Sequence, residues 1–257
     1  MRASVKRWAD NTIIWTGDKH TNKSDRRRYL PEIIVDHIVE GSANNCISWF
    51  TSESNNVSSA HFLVSKLGKV YQFVKIEDNA WGNGLPNERI PKAAAVIVKS
   101  RPGINPNWYS VSIEHEGIFA ETKGELTTPQ LQATIMLHAY IIDYVKDHFN
   151  ITIPVDRGHI LGHFEIDPVR KPNCPGGLFP FNTIIQKLGG ISVDNNLPFE
   201  DIAGHWAKED IIRANKLGLV KGIGDTDKDG RQEFAPNRPM TRAEGTKMIL
   251  NLYDICK

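Results

Sequence analysis

The stretch Gly162-His163-Phe164-Glu165-Ile166-Asp167-Pro168-Val169-Arg170-Lys171-Pro172-Asn173-Cys174-Pro175-Gly176 brings a histidine, a lysine and a cysteine together, with turn formers between them. Imidazole and thiolate are preferred ligands of zinc, and the lysine adds a positive charge beside them. A catalytic zinc takes three protein ligands and leaves one position open. His163 and Cys174 are the natural pair, so a third ligand is expected from a neighbouring strand end. His37 qualifies, because it follows a strand of buried composition and precedes Gly41-Ser42; His61, near another strand start, is its rival. His159 stands four residues before His163, a helical spacing, but Gly158 and Gly162 argue against a helix there. The bland alternative is a loop histidine beside a buried, apolar thiol.

Composition narrows the classes. A chain of 257 residues has room for an ordinary domain plus a small one. Apolar residues make up 40% and charged residues 24%, as in globular proteins generally. A net charge of +1 gives no reason to expect a nucleic-acid or membrane partner. Cys46, Cys174 and Cys256 are odd in number and far apart, which argues against a disulfide framework. No apolar run is long enough to cross a bilayer. Met1 to Asp18 carries basic residues without an apolar core, so no secretory signal is read. A protein made in the cytoplasm would then need another route to act outside the cell.

Working outward from the loop, residues 1–30 are polar and basic and end in Arg26-Arg27-Arg28. They read as a solvated arm, or else as a basic patch for an anionic polymer. Residues 32–41 read as a strand with Ile33, Val35, His37 and Val39 on one face. Asn44 to Ser52 suits a short helix, and residues 60–64 and 70–74 flank a tight turn as a hairpin. A further short helix is read over Pro91 to Ser100. Ser110 to Gly117 alternates: Val111, Ile113 and His115 share one face, and Ser112, Glu114 and Glu116 share the other. Thr128 to Asn150 is the clearest helix, with Thr128 as its cap, Pro129 in its first turn and His138 within its apolar stripe as a core histidine. A last helix is read from Pro180 to Leu188. Residues 189–197 have linker composition. Two helices follow, one from His205 to Leu217 with Ala207, Ile211, Ala214 and Leu217 on one face. The other is introduced by the capping box Thr241-Arg242-Ala243-Glu244. Such a unit buries little surface and is expected to lean on a neighbour or on a partner copy.

Four ordered segments between Ile33 and Phe181 resemble the type-2, zinc-dependent N-acetylmuramoyl-L-alanine amidases. They are Ile33-Ile34-Val35-Asp36-His37; Ser59-Ala60-His61-Phe62-Leu63-Val64 through Ala80-Trp81; Val111-Ser112-Ile113-Glu114; and His159-Ile160-Leu161-Gly162-His163 through Lys171 and Cys174-Pro175-Gly176. The resemblance implies an α/β fold, a mixed central β-sheet flanked by helices. It implies a zinc ion (Zn2+) on His37, His163 and Cys174, with Glu114 and Lys171 as catalytic residues and peptidoglycan as substrate. His61 and His159 then back up the ligands from behind or serve the structure, and Glu116 is an alternative carboxylate should the register differ. The implied chemistry is hydrolysis of the amide between N-acetylmuramic acid and L-alanine. Glu114 would move the proton, and Lys171 would share with the metal the charge that develops on oxygen. Three positions depart from the family pattern. Lys171 stands three residues before Cys174 rather than two, Ala60 replaces a tyrosine found in some members, and Gly82 replaces a histidine found in many.

Leu197-Pro198-Phe199-Glu200-Asp201-Ile202-Ala203-Gly204-His205-Trp206-Ala207 through Glu244 is similar to an S-layer homology module. That likeness implies a small all-α helix-loop-helix unit that binds secondary cell-wall polysaccharide. Arg242 would meet a sugar carboxylate, and Trp206 would serve as a stacking or core indole. The expected division is a catalytic domain over 1–188, a linker over 189–197 and a wall-binding module over 198–257. Asp225 to Gly230 matches the start of a calcium loop, but Pro236 stands where its last carboxylate ligand belongs, so a solvated turn is read there. Together these features predict an endolysin-like hydrolase made in the cytoplasm and acting at a Gram-positive wall. The competing reading is a non-catalytic wall-binding protein.

Overall fold

Ile33–Ile38 is buried along its whole length and on both faces, so layers must cover the sheet from both sides. The computed structural model describes residues 1–189, 198–202, 205, 207–223 and 232–255. Its elements run α1 (Ala3–Thr12), β1 (Ile13–Trp15), β2 (Lys23–Asp25), β3 (Ile33–Ile38), α2 (Ala43–Phe50), β4 (Phe62–Val64), β5 (Val70–Gln72) and β6 (Asp78–Ala80). They continue with α3 (Val96–Lys99), β7 (Ser110–His115), α4 (Phe119–Thr122), α5 (Thr128–Phe149), β8 (Ile160–Gly162), α6 (His163–Ile166), α7 (Phe181–Gly189), α8 (Lys208–Lys216) and α9 (Arg242–Ile255).

Among the described residues the main sheet has the order β1-β5-β4-β7-β3-β8, and β2 pairs with β6 apart from it. Strands β4, β7, β3 and β8 are parallel; β5 runs against β4, and β1 runs parallel to β5. The fold is thus the mixed sheet flanked by helices. Alternation along β3 sends Ile34 to the face covered by α5, while Ile33 and Val35 join Leu85, Ile90, Val98 and Tyr109 on the other.

Helix α5 carries a polar residue at three successive turns of its buried face, Gln130, Thr134 and His138, before the face turns apolar at Ile141, Ile142 and Val145. Gln130 donates to the carbonyls of Val64 and Glu116, at 3.1 and 3.0 Å. Thr134 meets His115 at 3.0 Å, and His138 meets Asp36 at 3.2 Å. The two His138 ring nitrogens meet the Asp36 carboxyl and the Thr134 carbonyl, contacts that favour the charged ring. Burial alone would lower its pKa, but the Asp36 charge and hydrogen bond outweigh burial and raise it. His138 is therefore a core histidine, as its place in the apolar stripe suggests.

Several readings need correction. The basic N-terminus is no arm: Val5 and Ala9 of α1 are buried against α5, and β1 extends the sheet. The helical face of α1 was masked in the sequence by its charged residues. Arg26 is 3% exposed. It donates to the carbonyls of Ile76, Trp108 and Ser110 at 2.7, 3.0 and 3.0 Å. The α5 cap is Thr127, whose side chain accepts from the Gln130 N–H, rather than Thr128. The helix read over Pro91 to Ser100 shrinks to α3, after a 3-10 turn over Asn87–Lys92. Leu217 is exposed, because α8 ends at Lys216. The linker beyond Gly189 and the candidate calcium turn lie outside the described residues.

Replacing Arg26 by Met strands three buried carbonyls, so unfolding free energy is expected to fall by on the order of 3 kcal/mol. Urea melts check this, and a loss below about 1 kcal/mol would mean that water takes the guanidinium's place.

The C-terminal region does lean on a neighbour. A 3-10 turn over Glu200–Ile202 touches α1, Ile202 is buried, and Arg7 pairs with Glu233 at 3.6 Å. The capping box forms: Thr241 Oγ1 accepts the Glu244 N–H at 3.2 Å, and the Glu244 carboxylate accepts the Thr241 N–H at 2.7 Å.

Candidate metal centre and groove

The carboxyl ends of β3, β7 and β8 meet at one edge of the sheet, where parallel α/β folds usually bind ligands. In the β3–β7 register His37 lies opposite Glu114, and His163 follows β8 directly. The 163–176 loop folds back through hydrogen bonds from the Phe164 N–H to the Cys174 carbonyl, 2.8 Å, and from the Cys174 N–H to the Lys171 carbonyl, 3.1 Å. The second bond closes a tight turn that absorbs the additional residue between Lys171 and Cys174. Two glycines allow this packing. A side chain on Gly162 would strike Phe164 and Pro175 at under 3 Å, and Gly176 holds φ +127° with the Lys123 carbonyl where a Cβ would stand.

One ligand atom from each of His37, His163 and Cys174 falls within a set whose members all lie within 4.8 Å of one another. The two imidazoles meet edge to face at 4.4 Å between centroids. Their chemistry suits a cation. Burial holds His37 far below the usual histidine range, with the charge of His163 adding to the effect; Asp36 and the adjacent Asn83 amide oppose it. Burial likewise brings His163 down to about 3, helped by Lys171 and Arg170. Both rings are therefore neutral, with lone pairs to give. His37 Nε2 is buried and has no hydrogen-bond partner, an arrangement that is unfavourable unless a ligand takes the atom. The Cys174 thiol is pushed up to about 12, by burial first and then by Glu114. The Ile38 N–H points at its sulfur from 3.4 Å, a contact that favours thiolate once a cation displaces the proton. The donor set fits a tetrahedral zinc with one position left over.

Glu114 faces this cluster, with Oε1 4.0 Å from His37 Nδ1 and a buried Oε2 that has no partner. Burial raises its carboxyl to about 7, against the opposing charge of Lys171. Lys171 is exposed on the loop, and its charge acts on Glu114, His163 and Cys174 alike. Glu116 turns away and accepts the Lys66 N–H at 2.7 Å. The strand ends at His115, so the alternation that would align the two carboxylates stops before Glu116.

The other histidines stand elsewhere. His61 is buried beside Arg26, 2.9 Å away, and its Nδ1 accepts the Ser112 N–H at 3.0 Å. His159 is bound to Asp156 at 2.7 Å on the loop before β8. Neither belongs to the cluster. Arg242 is exposed at the start of α9, and Trp206 lies outside the described residues. Sequence reasoning missed the supports of the site: Asn83, which donates to Ser110 Oγ at 2.9 Å and stands beside His37, and Arg170, which grips Asp167 and the Gly84 carbonyl. Single amides and arginines in loops carry no pattern that would betray such roles.

The cluster opens into a groove of about 930 Å3. Its lining includes Trp49, Trp81 and Trp108, several asparagines, and Gly82, which packs so close to Ser59 and Ser112 that a Cβ would crowd them at 3.0–3.3 Å.

A family model described as N-acetylmuramoyl-L-alanine amidase matches residues 26–177, and one described as S-layer homology domain matches residues 198–244. N-acetylmuramoyl-L-alanine amidase A of Achromobacter lyticus is 30% identical over 190 residues, covering 69% of this chain and 93% of that protein. Among solved structures, a selenomethionine derivative of AmpD superposes with a TM-score of 0.51 at 21% identity, over 69% of this chain and 94% of the other. The endolysin N-acetylmuramoyl-L-alanine amidase LysCS of Clostridium intestinale gives 0.44 at 22% identity, over 70% and 96%.

Proposed function

The chain belongs to the N-acetylmuramoyl-L-alanine amidase family, and from that premise we propose that it is a zinc-dependent, wall-lysing enzyme of the endolysin kind. It cuts the amide between N-acetylmuramic acid and the L-alanine of the stem peptide, with zinc held by His37, His163 and Cys174. The observation that carries the metal part is the cluster of two neutral imidazoles and a thiol around an unpartnered, buried His37 Nε2. When bound, zinc supplies Lewis acidity at the scissile carbonyl and a hydroxide available near pH 7, against a pKa of about 15.7 for bulk water.

The protein's own groups do the rest. Glu114 takes the proton of the attacking water and returns it to the leaving amine nitrogen. With a carboxyl at about 7 it can both accept and release a proton near neutrality. Lys171 directs its ammonium at the carbonyl oxygen as charge builds there. Neutral His37 and His163 keep positive charge away from the place where the cation sits.

The same proposal assigns residues 1–188 to catalysis and 198–257 to retention on secondary cell-wall polysaccharide, joined through 189–197. What supports retention is the S-layer homology match and the exposed Arg242, whose guanidinium suits a sugar carboxylate. A peptidoglycan amidase acts on a solid substrate, and a second region that adheres to the same solid would keep it in place. Arg242→Ala is expected to weaken co-sedimentation with purified walls about tenfold, the size of a lost charge-assisted bond. Undiminished retention would remove Arg242 from the contact.

Digestion of purified peptidoglycan followed by mass analysis tests the bond assignment. Free stem peptides beginning with L-alanine, alongside intact glycan strands, are expected; cleaved sugars or shortened peptides would overturn it.

A further inference from the structure

Trp49 is the groove residue that the mechanism leaves unused. It stands on α2, three residues after Cys46, so the two side chains are about 5–6 Å apart on one helical face. Cys46 lines the same groove, and burial first, then the Glu114 charge, pushes its thiol up. Trp49 is thus one helical turn from Cys46, in the groove that Glu114 also lines. It is 43% exposed, a high value for an indole inside a groove.

Its orientation is built in. The indole N–H donates to Ser58 Oγ at 3.0 Å. The loop that carries Ser58 is held by Asn55, itself 3% exposed. The Asn55 amide donates to the carbonyls of Trp49 and Ser58 at 3.1 and 2.9 Å, and its oxygen accepts the N–H groups of Val57 and Ser58, both at 3.2 Å. Asn22 adds bonds to the carbonyls of Asn55 and Ser58 at 2.9 and 3.1 Å. An exposed indole whose polar edge is tied down keeps only its flat faces for a ligand.

The other groove indoles differ. Trp108 stacks on Tyr29 at 5.3 Å and carries Arg27 at 4.5 Å, while Trp81 is half-buried and tied to Ser24. Like Trp81, Trp49 has no ring or cation partner of this kind among the described residues, and it is the more exposed of the two. Asn45, exposed and on the same helix, supplies an amide beside it, and Val57 an apolar rim.

We propose that Trp49 is a saccharide-stacking platform, whose face takes a pyranose ring of the glycan strand on the α2 side of the groove. This rests on the amidase reading, and it names the polymeric strand, rather than a small released fragment, as the preferred substrate. Pyranose rings present a flat face of C–H groups that stacks on an aromatic face, and their hydroxyl and acetamido groups suit an amide and a serine at the rim. Tying the indole beforehand avoids ordering it on binding.

The test is calorimetric titration of the full chain with the tetramer of N-acetylglucosamine, which carries no stem peptide. Trp49→Ala is expected to weaken binding at least tenfold, Trp49→Phe by no more than about threefold, and Ser58→Ala, which frees the indole, by an intermediate factor. Trp15→Ala, an exposed indole on the edge strand β1, is expected to bind as the parent does. Equal affinity for the parent and Trp49→Ala, or no binding by the parent at millimolar tetramer, overturns the platform. Rates distinguish the two readings. In the parent, peptide release from walls tests the amidase; in Trp49→Ala, release from walls is expected to fall at least fivefold more than release from muramoyl dipeptide. A larger loss on the dipeptide would place the peptide on Trp49 instead and sink the proposal.

Discussion

The Glu114→Gln protein is expected to bind zinc at the parent's stoichiometry and to release peptide from muramic acid about a hundred to ten thousand times more slowly. The exchange keeps the size of the side chain and one oxygen but removes the basic site. Glu114 makes no direct contact of hydrogen-bond length with His37, being 4.0 Å away, so the three donors should keep their places. Metal analysis and peptide release on one preparation check both halves. Parent-like hydrolysis would exclude Glu114 as the proton carrier; lost zinc would make it part of the metal site. A non-catalytic wall-binding protein on this fold would show no release in the parent either, so the same pair of proteins separates the two functional classes.

His37→Ala is expected to lose the metal altogether, because two remaining donors make a weak site, and activity should fall below detection. Chelation of the parent should give the same inactive state, but reversibly, with zinc restoring it. Proton release sharpens this. At pH 7 both imidazoles are already neutral, with His163 near 3, whereas the Cys174 thiol, near 12, is still protonated. Zinc uptake should then release one proton from Cys174 and a fraction from Glu114, whose carboxyl at about 7 is half protonated and is pulled down by the arriving cation. Affinity accordingly rises with pH, by about tenfold or somewhat more per unit around neutrality. Titrations in buffers of different ionisation enthalpy count those protons. Release of two or more beyond the Glu114 share would mean that a histidine starts out charged.

Much of this was legible in the residues, for reasons that can be named. The strands carrying His37 and Glu114 stand out because buried parallel strands are rich in valine and isoleucine, and α5 because its apolar stripe is long and preceded by a cap. The loop with His163, Lys171 and Cys174 stands out because imidazole, ammonium and thiol are rarely so close without reason. The N-terminal segment was illegible: α1 buries only Val5 and Ala9 among many charged neighbours. Arg26, buried against the carbonyls of Ile76, Trp108 and Ser110, reads as surface charge because an arginine run gives no hint of which guanidinium turns inward. Asn55 and Asn83 were invisible for the same reason. Their importance comes from backbone groups brought close by the fold, and those have no signature in a sequence.

The ligands' positions in the chain have a bearing on biosynthesis. Ile38, next to one donor, and Cys174, another, are 136 positions apart, and the strands that bring them together are not consecutive. If His37, His163 and Cys174 hold zinc as proposed, no early fragment can hold the ion, since Cys174 leaves the ribosome only after β3, β7 and β8. Metal would therefore stabilise only the finished sheet, adding RT ln(1 + [L]/Kd) to the stability of the native state and nothing to the unfolded chain. On that reading a nascent chain stays inert until the loop after β8 that carries Cys174 is in place. On the zinc reading, zinc supply then sets the moment at which it becomes active.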